Sequence, residues 1–192
     1  QQTYVETALD RQLLPSVLKG DFKLVVISGN AGDGKTAFLQ RLEKVAEENG
    51  ATVDRSLLNG SSIELQGRRF LLNYDGSQDE GDKVNDLVLR NFFAPFTGSN
   101  NQNWPTKETR LIAINEGRLV DFFQTHGKDF PALAPIVKAG FETGKPESGI
   151  AVVNLNLRSV VADPLRTEGD PSGKGDDSIF ARLLRRMTHE SF

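Results

Sequence analysis

Short apolar runs alternate with stretches of helical spacing along most of this chain. Residues 23–28 (Lys-Leu-Val-Val-Ile-Ser) form an apolar, β-branched run that predicts a buried strand. Residues 37–48 place Phe38, Leu42, Val45 and Ala46 on one face of a predicted helix. Residues 51–58 give a weak strand signal. Residues 62–66 and 69–74 flank Gly67-Arg68 and predict a hairpin near 62–75. A helix is expected over about 82–93, with Val84, Leu87, Val88 and Phe92 inward and Pro95 ending it. Residues 97–106 are polar and turn-rich, which predicts a surface loop; Trp104 within it is open to either exposed contact or local packing. Strands are predicted at 110–115 and 149–157, with helices between them at about 117–125 and 131–141.

The two ends of the chain are patterned differently. Residues 4–19 carry Val5, Ala8, Leu9, Leu13, Val17 and Leu18 at near-helical spacing, and Pro15 is expected to split that stretch in two. Residues 163–177, rich in Pro, Gly, Asp and Ser, predict a flexible loop. A last helix at about 177–189 would bury Ile179, Phe180, Leu183, Leu184 and Met187, with Arg182, Arg185 and Arg186 mainly opposite. Apolar strands separated by helices predict an α/β fold: three layers, a mostly parallel sheet of about five strands, helices on both faces and an inserted hairpin.

Composition narrows the function classes. The 192 residues suffice for one α/β domain spanning 1–192, with 38% hydrophobic and 26% charged residues and a net charge of −3. Charge gives nucleic-acid binding no support. With no cysteine, neither a disulfide nor a thiolate metal site can form, and a cytoplasmic location is expected. No apolar run approaches about 18 residues, so no membrane partner is expected. The chain begins Gln1-Gln2 and its one methionine is Met187, so a domain cut from a longer protein is the expectation.

The chemistry concentrates at residues 29–36, Gly-Asn-Ala-Gly-Asp-Gly-Lys-Thr. They form a complete G-x-x-x-x-G-K-[ST] loop, lying between the 23–28 strand and the 37–48 helix. Gly29, Gly32 and Gly34 allow a tight turn that aims backbone N–H groups inward, with Asn30, Ala31, Asp33 and Ala37 completing the cradle. Lys35 is expected to reach the β- and γ-phosphates of ATP, and the Thr36 hydroxyl to hold Mg²⁺. Chance would bring the four fixed positions together in roughly 1% of chains of this length.

In parallel sheets ligands sit beyond the C-terminal strand ends, so the polar residues there are the next candidates. Asp75, after the 70–74 run, is a candidate magnesium ligand; its competing role is the Asp75-Gly76-Ser77 turn. Asp79 and Glu80 follow within reach. Asn115-Glu116 ends the next strand. Asn115 is either a sensor of the γ-phosphate or attacking water, or it replaces the aspartate of a magnesium-binding strand, with Glu116 as the base that polarises water. The competing role is a helix cap at Asn115 with Glu116 in the first turn favouring the dipole, and capping and sensing can coexist. Arg158 is a candidate arginine finger against a solvated surface arginine. His126 and His189 show no ligand partners in the sequence and receive no role.

Strand, phosphate loop and helix, then strands ending in Asp75 and in Asn115, resemble the α/β P-loop NTPase core of AAA+ and STAND ATPases over roughly residues 20–160. Ile112-Ala113-Ile114-Asn115 is similar to the sensor-1 strand, and Asp75 to the Walker B aspartate, although no Asp-Glu pair ends that strand. Asn115-Glu116-Gly117-Arg118-Leu119 also looks like ATPase domains of large bacterial multidomain proteins. The resemblance implies an ATP-binding, Mg²⁺-dependent ATPase that couples nucleotide state to conformational change or assembly, through self-association or other domains of its polypeptide, with a helical lid beyond this chain. Two alternatives are a P-loop small-molecule kinase and a non-hydrolysing nucleotide-binding interaction module. The acidic balance of 163–177, despite Arg166 and Lys174, speaks against the kinase. A Ras-like Asn-Lys-x-Asp motif and the Leu-Ser-Gly-Gly-Gln signature of ABC proteins are both absent.

Overall fold

The computed structural model describes residues 9–80 and 84–157. Strands β1 (Leu24–Ser28), β2 (Thr52–Asp54), β3 (Gly60–Leu65), β4 (Arg68–Asn73), β5 (Glu108–Ile114) and β6 (Ile150–Asn154) form one sheet in the order β2-β3-β4-β5-β1-β6. Helices α1 (Leu14–Lys19), α2 (Lys35–Glu48), α3 (Asn85–Phe93), α4 (Glu116–His126) and α5 (Leu133–Thr143) cover it. The sheet has six strands rather than about five, because Thr52–Asp54 pairs with β3 and extends it. It is mixed: β4, β5, β1 and β6 run parallel, whereas β3 is antiparallel to both neighbours. A two-residue turn at Gln66-Gly67, both with positive φ, reverses the chain between β3 and β4, as the hairpin pattern requires.

All five residues of β1 are buried, since the strand is paired on both edges and covered on both faces. Its side chains alternate between two cores. Val25 and Ile27 join Phe38, Leu39, Leu42 and Ala46 of α2, together with Leu14 and Val17 of α1. Leu24 and Val26 join Leu89 and Phe93 of α3, Leu119 and Phe122 of α4, and Leu133 and Val137 of α5. The three expected layers are therefore present. Phe93 centres the second core, within 5.3–6.3 Å (ring centroids) of Phe92, Phe122, Phe123 and Phe130.

The N-terminal helical stretch is divided as expected, a π-helical turn (Leu9–Leu13) giving way to α1 with Pro15 in its first turn, where the missing N–H is harmless. Several other features differ from the sequence pattern for local reasons. The strand expected over 149–157 ends at Asn154 and tightens into a 3₁₀ turn, Leu155–Leu157. Trp104 packs inside, 2% exposed and edge-on to Phe96. His126 has a partner after all: its Nε2 lies 3.1 Å from Asp86 Oδ2, and Arg118 pairs with the same carboxylate. The loop at 163–177, the 177–189 helix, Arg158 and His189 lie outside the described residues. Among the described residues no helix is long and apolar enough to cross a membrane.

Two predictions follow from this packing. Phe93→Ala should cost about 3–5 kcal/mol in urea denaturation, because a fully buried ring among four others leaves a cavity that cannot close. Asp86 gives a pH test. His126, then Arg118, hold its carboxyl below the usual carboxylate range. A depressed folded-state value contributes stability that is present above the unfolded value and lost as pH falls through the folded one. The stability gap between wild type and Asp86→Asn should be full at neutral pH and shrink below about pH 4, which denaturation midpoints across pH would measure.

Candidate functional site

Four parallel strands end at the same edge of the sheet, and the chain leaves β1 and β5 toward opposite faces: α2 to one, α4 to the other. Such a divergence opens a crevice beyond the strand ends. Here it is a cavity of about 510 Å³, lined by Gly29, Ala31–Ala37, Tyr74, Asp75, Ser77 and Asn115. The glycine-rich loop, Asp75 and Asn115, far apart in sequence, thus face one space.

The loop's shape follows from its glycines. Gly32 and Gly34 adopt φ of 89° and 85°, where an L side chain is strained. Gly34 is also the residue that opens α2, and no side chain caps that helix start. First-turn N–H groups there have no helical acceptor, so they present positive potential to the cavity. Lys35 Nζ donates to the carbonyl oxygens of Gly29 (2.9 Å) and Asn30 (2.7 Å). Asn30 is the one loop residue that does not line the cavity; its N–H donates to the Asp33 carboxylate and to Asn156 Oδ1.

The second wall is the end of β4. Thr36 Oγ1 donates to the Tyr74 carbonyl at 3.2 Å, joining the loop to the strand just before Asp75. The Asp75 backbone is clamped by Asn59, whose side chain accepts from its N–H (3.1 Å) and donates to its carbonyl (2.7 Å). Its carboxylate accepts from Ser77 N–H (2.9 Å) and Gln78 Nε2 (2.8 Å). Asp75 therefore lines the cavity and also holds the turn. Asp79 accepts from Asn85 N–H (2.6 Å), and Glu80 lines a separate groove with Leu57 and Phe92.

The third wall is the start of α4. Asn115 caps it, accepting from Gly117 N–H (2.9 Å) and Arg118 N–H (3.4 Å), while its N–H meets Ser77 Oγ at 3.4 Å. Glu116 lies one residue further and does not line the cavity. It borders a groove between α4 and α5, and its Oε2 accepts from Asn154 Nδ2 at 3.0 Å.

Several residues of this arrangement were not found in the sequence. Asn154 and Asn156 break an apolar strand pattern at its C-terminal end, a signal the strand-end rule could have used. Tyr74 and Asn59 gave none, because their roles depend on the fold. Behind the cavity, Glu43 of α2 is a 3%-exposed carboxylate accepting from Ser61 Oγ (2.6 Å), Arg55 Nε (3.0 Å) and the Tyr74 hydroxyl. Burial and this bond raise the Tyr74 hydroxyl's pKa and keep it protonated as a donor. The cluster ties α2 to β3 and β4, so it fixes the loop's helix against the strand that carries Asp75.

Among the described residues no group of three acidic or histidine side chains gathers to hold a metal by protein ligands alone. A magnesium ion does not need one, since it takes one or two protein ligands and completes its shell with phosphate oxygens and water. Thr36 and Asp75, lining one cavity and linked through the Tyr74 carbonyl, fit that donor set. Compared with protein-family models, curated proteins and solved structures, the chain matches none.

The Glu43 cluster can be tested directly. Tyr74→Phe should lower stability by about 1–2 kcal/mol in thermal or urea denaturation, because a buried carboxylate loses one of its three donors.

Proposed function

We propose that this domain binds a nucleoside triphosphate, ATP with Mg²⁺, in the cavity at the strand ends. The observation that carries the reading is the convergence of the loop 29–36, Asp75 and Asn115 on one space at the divergence of β1 and β5. The β- and γ-phosphates would take the uncapped N–H groups of α2 and the Lys35 ammonium, which an anion draws from the Gly29 and Asn30 carbonyls. Thr36 and Asp75 would hold Mg²⁺, which neutralises charge on the phosphates. Asn115, exposed at the rim, has the amide with which to meet the γ-phosphate. The strand order, with β5 between β1 and β4, supports an ATPase core similar to AAA+ and STAND modules, in which nucleotide state favours one domain arrangement over another.

Hydrolysis would require a group that orients the attacking water. Glu116 is the acid that follows the β5 terminus, but it is bonded to Asn154 and borders the α4–α5 groove. That observation favours, as a second reading, a module that binds nucleotide without turning it over until Glu116 is released.

Lys35→Ala should weaken MgATP binding by about 1.5–3 kcal/mol, roughly ten- to a hundredfold in Kd by calorimetry. Equal affinity in the two proteins would overturn the nucleotide reading. Asp75→Asn should retain ATP binding but lose its dependence on Mg²⁺. Glu116→Gln should abolish turnover with binding intact; wild-type turnover would exclude Glu116 as the water-orienting base.

A further inference from the structure

Glu116 and the glycine-rich loop do not touch, yet an unbroken line of hydrogen bonds joins them. Asn30 N–H donates to Asn156 Oδ1 at 3.1 Å. Asn156 N–H donates to Asn154 Oδ1 at 3.0 Å. Asn154 Nδ2 donates to Glu116 Oε2 at 3.0 Å. The line starts at the peptide unit between Gly29 and Asn30, whose carbonyl is the one Lys35 Nζ grips at 2.9 Å. A peptide unit is planar and rigid, so a pull on its carbonyl end is felt at its N–H end. Lys35 thus holds one end of the plate, and Asn156 shares the other with the Asp33 carboxylate.

We propose that Asn154 and Asn156 are positioning residues that report occupancy of the loop to Glu116. The proposal rests on the nucleotide reading of the cavity. With the loop empty, Lys35 anchors the Gly29–Asn30 peptide, the asparagine pair is aligned, and Glu116 is held on Asn154 away from the cavity. Phosphate oxygens draw the Lys35 ammonium off the Gly29 carbonyl, the peptide tilts, and the grip of Asn156 on Asn30 N–H loosens. Asn154 then gives up Glu116, which is left to swing toward the water beside the γ-phosphate.

A second observation supplies the other half of a two-position device. Ser28 pairs in register with Asn154 across the β1–β6 ladder. The alternation that sends Ile27 to the α2 core sends Ser28 to the α4 side, where Asn154 meets Glu116. The Ser28 hydroxyl is fully buried and has no hydrogen-bond partner among the described residues. It is an acceptor waiting beside Asn154, so the amide that releases Glu116 does not lose its partner outright. Coupling between sites needs such an element with two arrangements.

The test uses nuclear magnetic resonance on the chain as it stands, with the Asn30 backbone amide and the Glu116 side-chain carboxyl carbon as reporters. Without ligand, Glu116→Gln should shift the Asn30 amide, and Asn156→Ala should abolish that response while amides of the α3 core stay unchanged. Asn156→Asp, which keeps an acceptor oxygen for Asn30 N–H, should restore it. An Asn30 amide indifferent to Glu116→Gln overturns the relay. MgATP should then move the Glu116 carbon in wild type and leave it in place in Asn154→Ala. If MgATP binds wild type and the Glu116 carbon does not move, the relay is equally overturned. If no amide of residues 29–37 responds to MgATP, the nucleotide reading fails, and the ligand-free arm still decides the relay. In turnover, Asn156→Ala should change kcat by roughly fivefold or more with KM altered less than about twofold, a split that loss of loop structure would not give.

Discussion

Everything at the strand ends depends on β1 being held from four directions. Its backbone is paired on both edges and its side chains are buried in both cores. A strand so fixed cannot shift register without moving its whole apolar set, so its last residue, Ser28, delivers Gly29 to a defined point in space. The strand before the loop and the buried face of α2 after it then fix the path that Gly32 and Gly34 follow in left-handed conformations, up to an uncapped helix start. Here the sheet and helix impose the shape, and the loop's unsatisfied N–H groups are left available for an anion.

Legibility in the sequence tracked how local each signal was. The 29–36 loop, the β1 and β5 strands, the face of α2 and the extent of α4 are written in contiguous residues and appear in the structure; of the face expected for α3, Val88 and Phe92 are buried, whereas Val84 and Leu87 are exposed. The edge strand β2 was only faintly marked, since three residues of half-exposed strand leave little periodicity. Its existence depends on the offered edge of β3, a tertiary fact. Trp104 and His126 were opaque for the same reason: Phe96 and Asp86, which define their surroundings, lie elsewhere in the chain.

The candidate site divides along the same line. Strand-end reasoning brought Asp75 and Asn115 to the loop, and the structure places both on its cavity. It could not foresee that Asn115's side chain would be engaged by its own helix, or that Glu116, one residue on, would turn to the other side of the α4 start and meet Asn154. A helix rotates about 100° per residue, so neighbours at its first turn address different spaces. Adjacent sequence positions therefore carry no promise of a shared site.

The buried Glu43 carboxylate gives the cavity two unlike walls. On its side, three donors from the Arg55 loop, β3 and β4 converge on one acceptor in α2, and Thr36 adds a further bond to the Tyr74 carbonyl. On the opposite side, β6 passes into a short 3₁₀ turn, and its polar link to the start of α4 is the Asn154 amide on Glu116. The wall bearing Asp75 is an anvil, while the Asn115 wall, with Glu116 and Asn154 behind it, is a hinge plate. Strain introduced between them flows toward the compliant side, so a shape change starting in this cavity would leave through α4 and β6 and spare the β2–β4 meander.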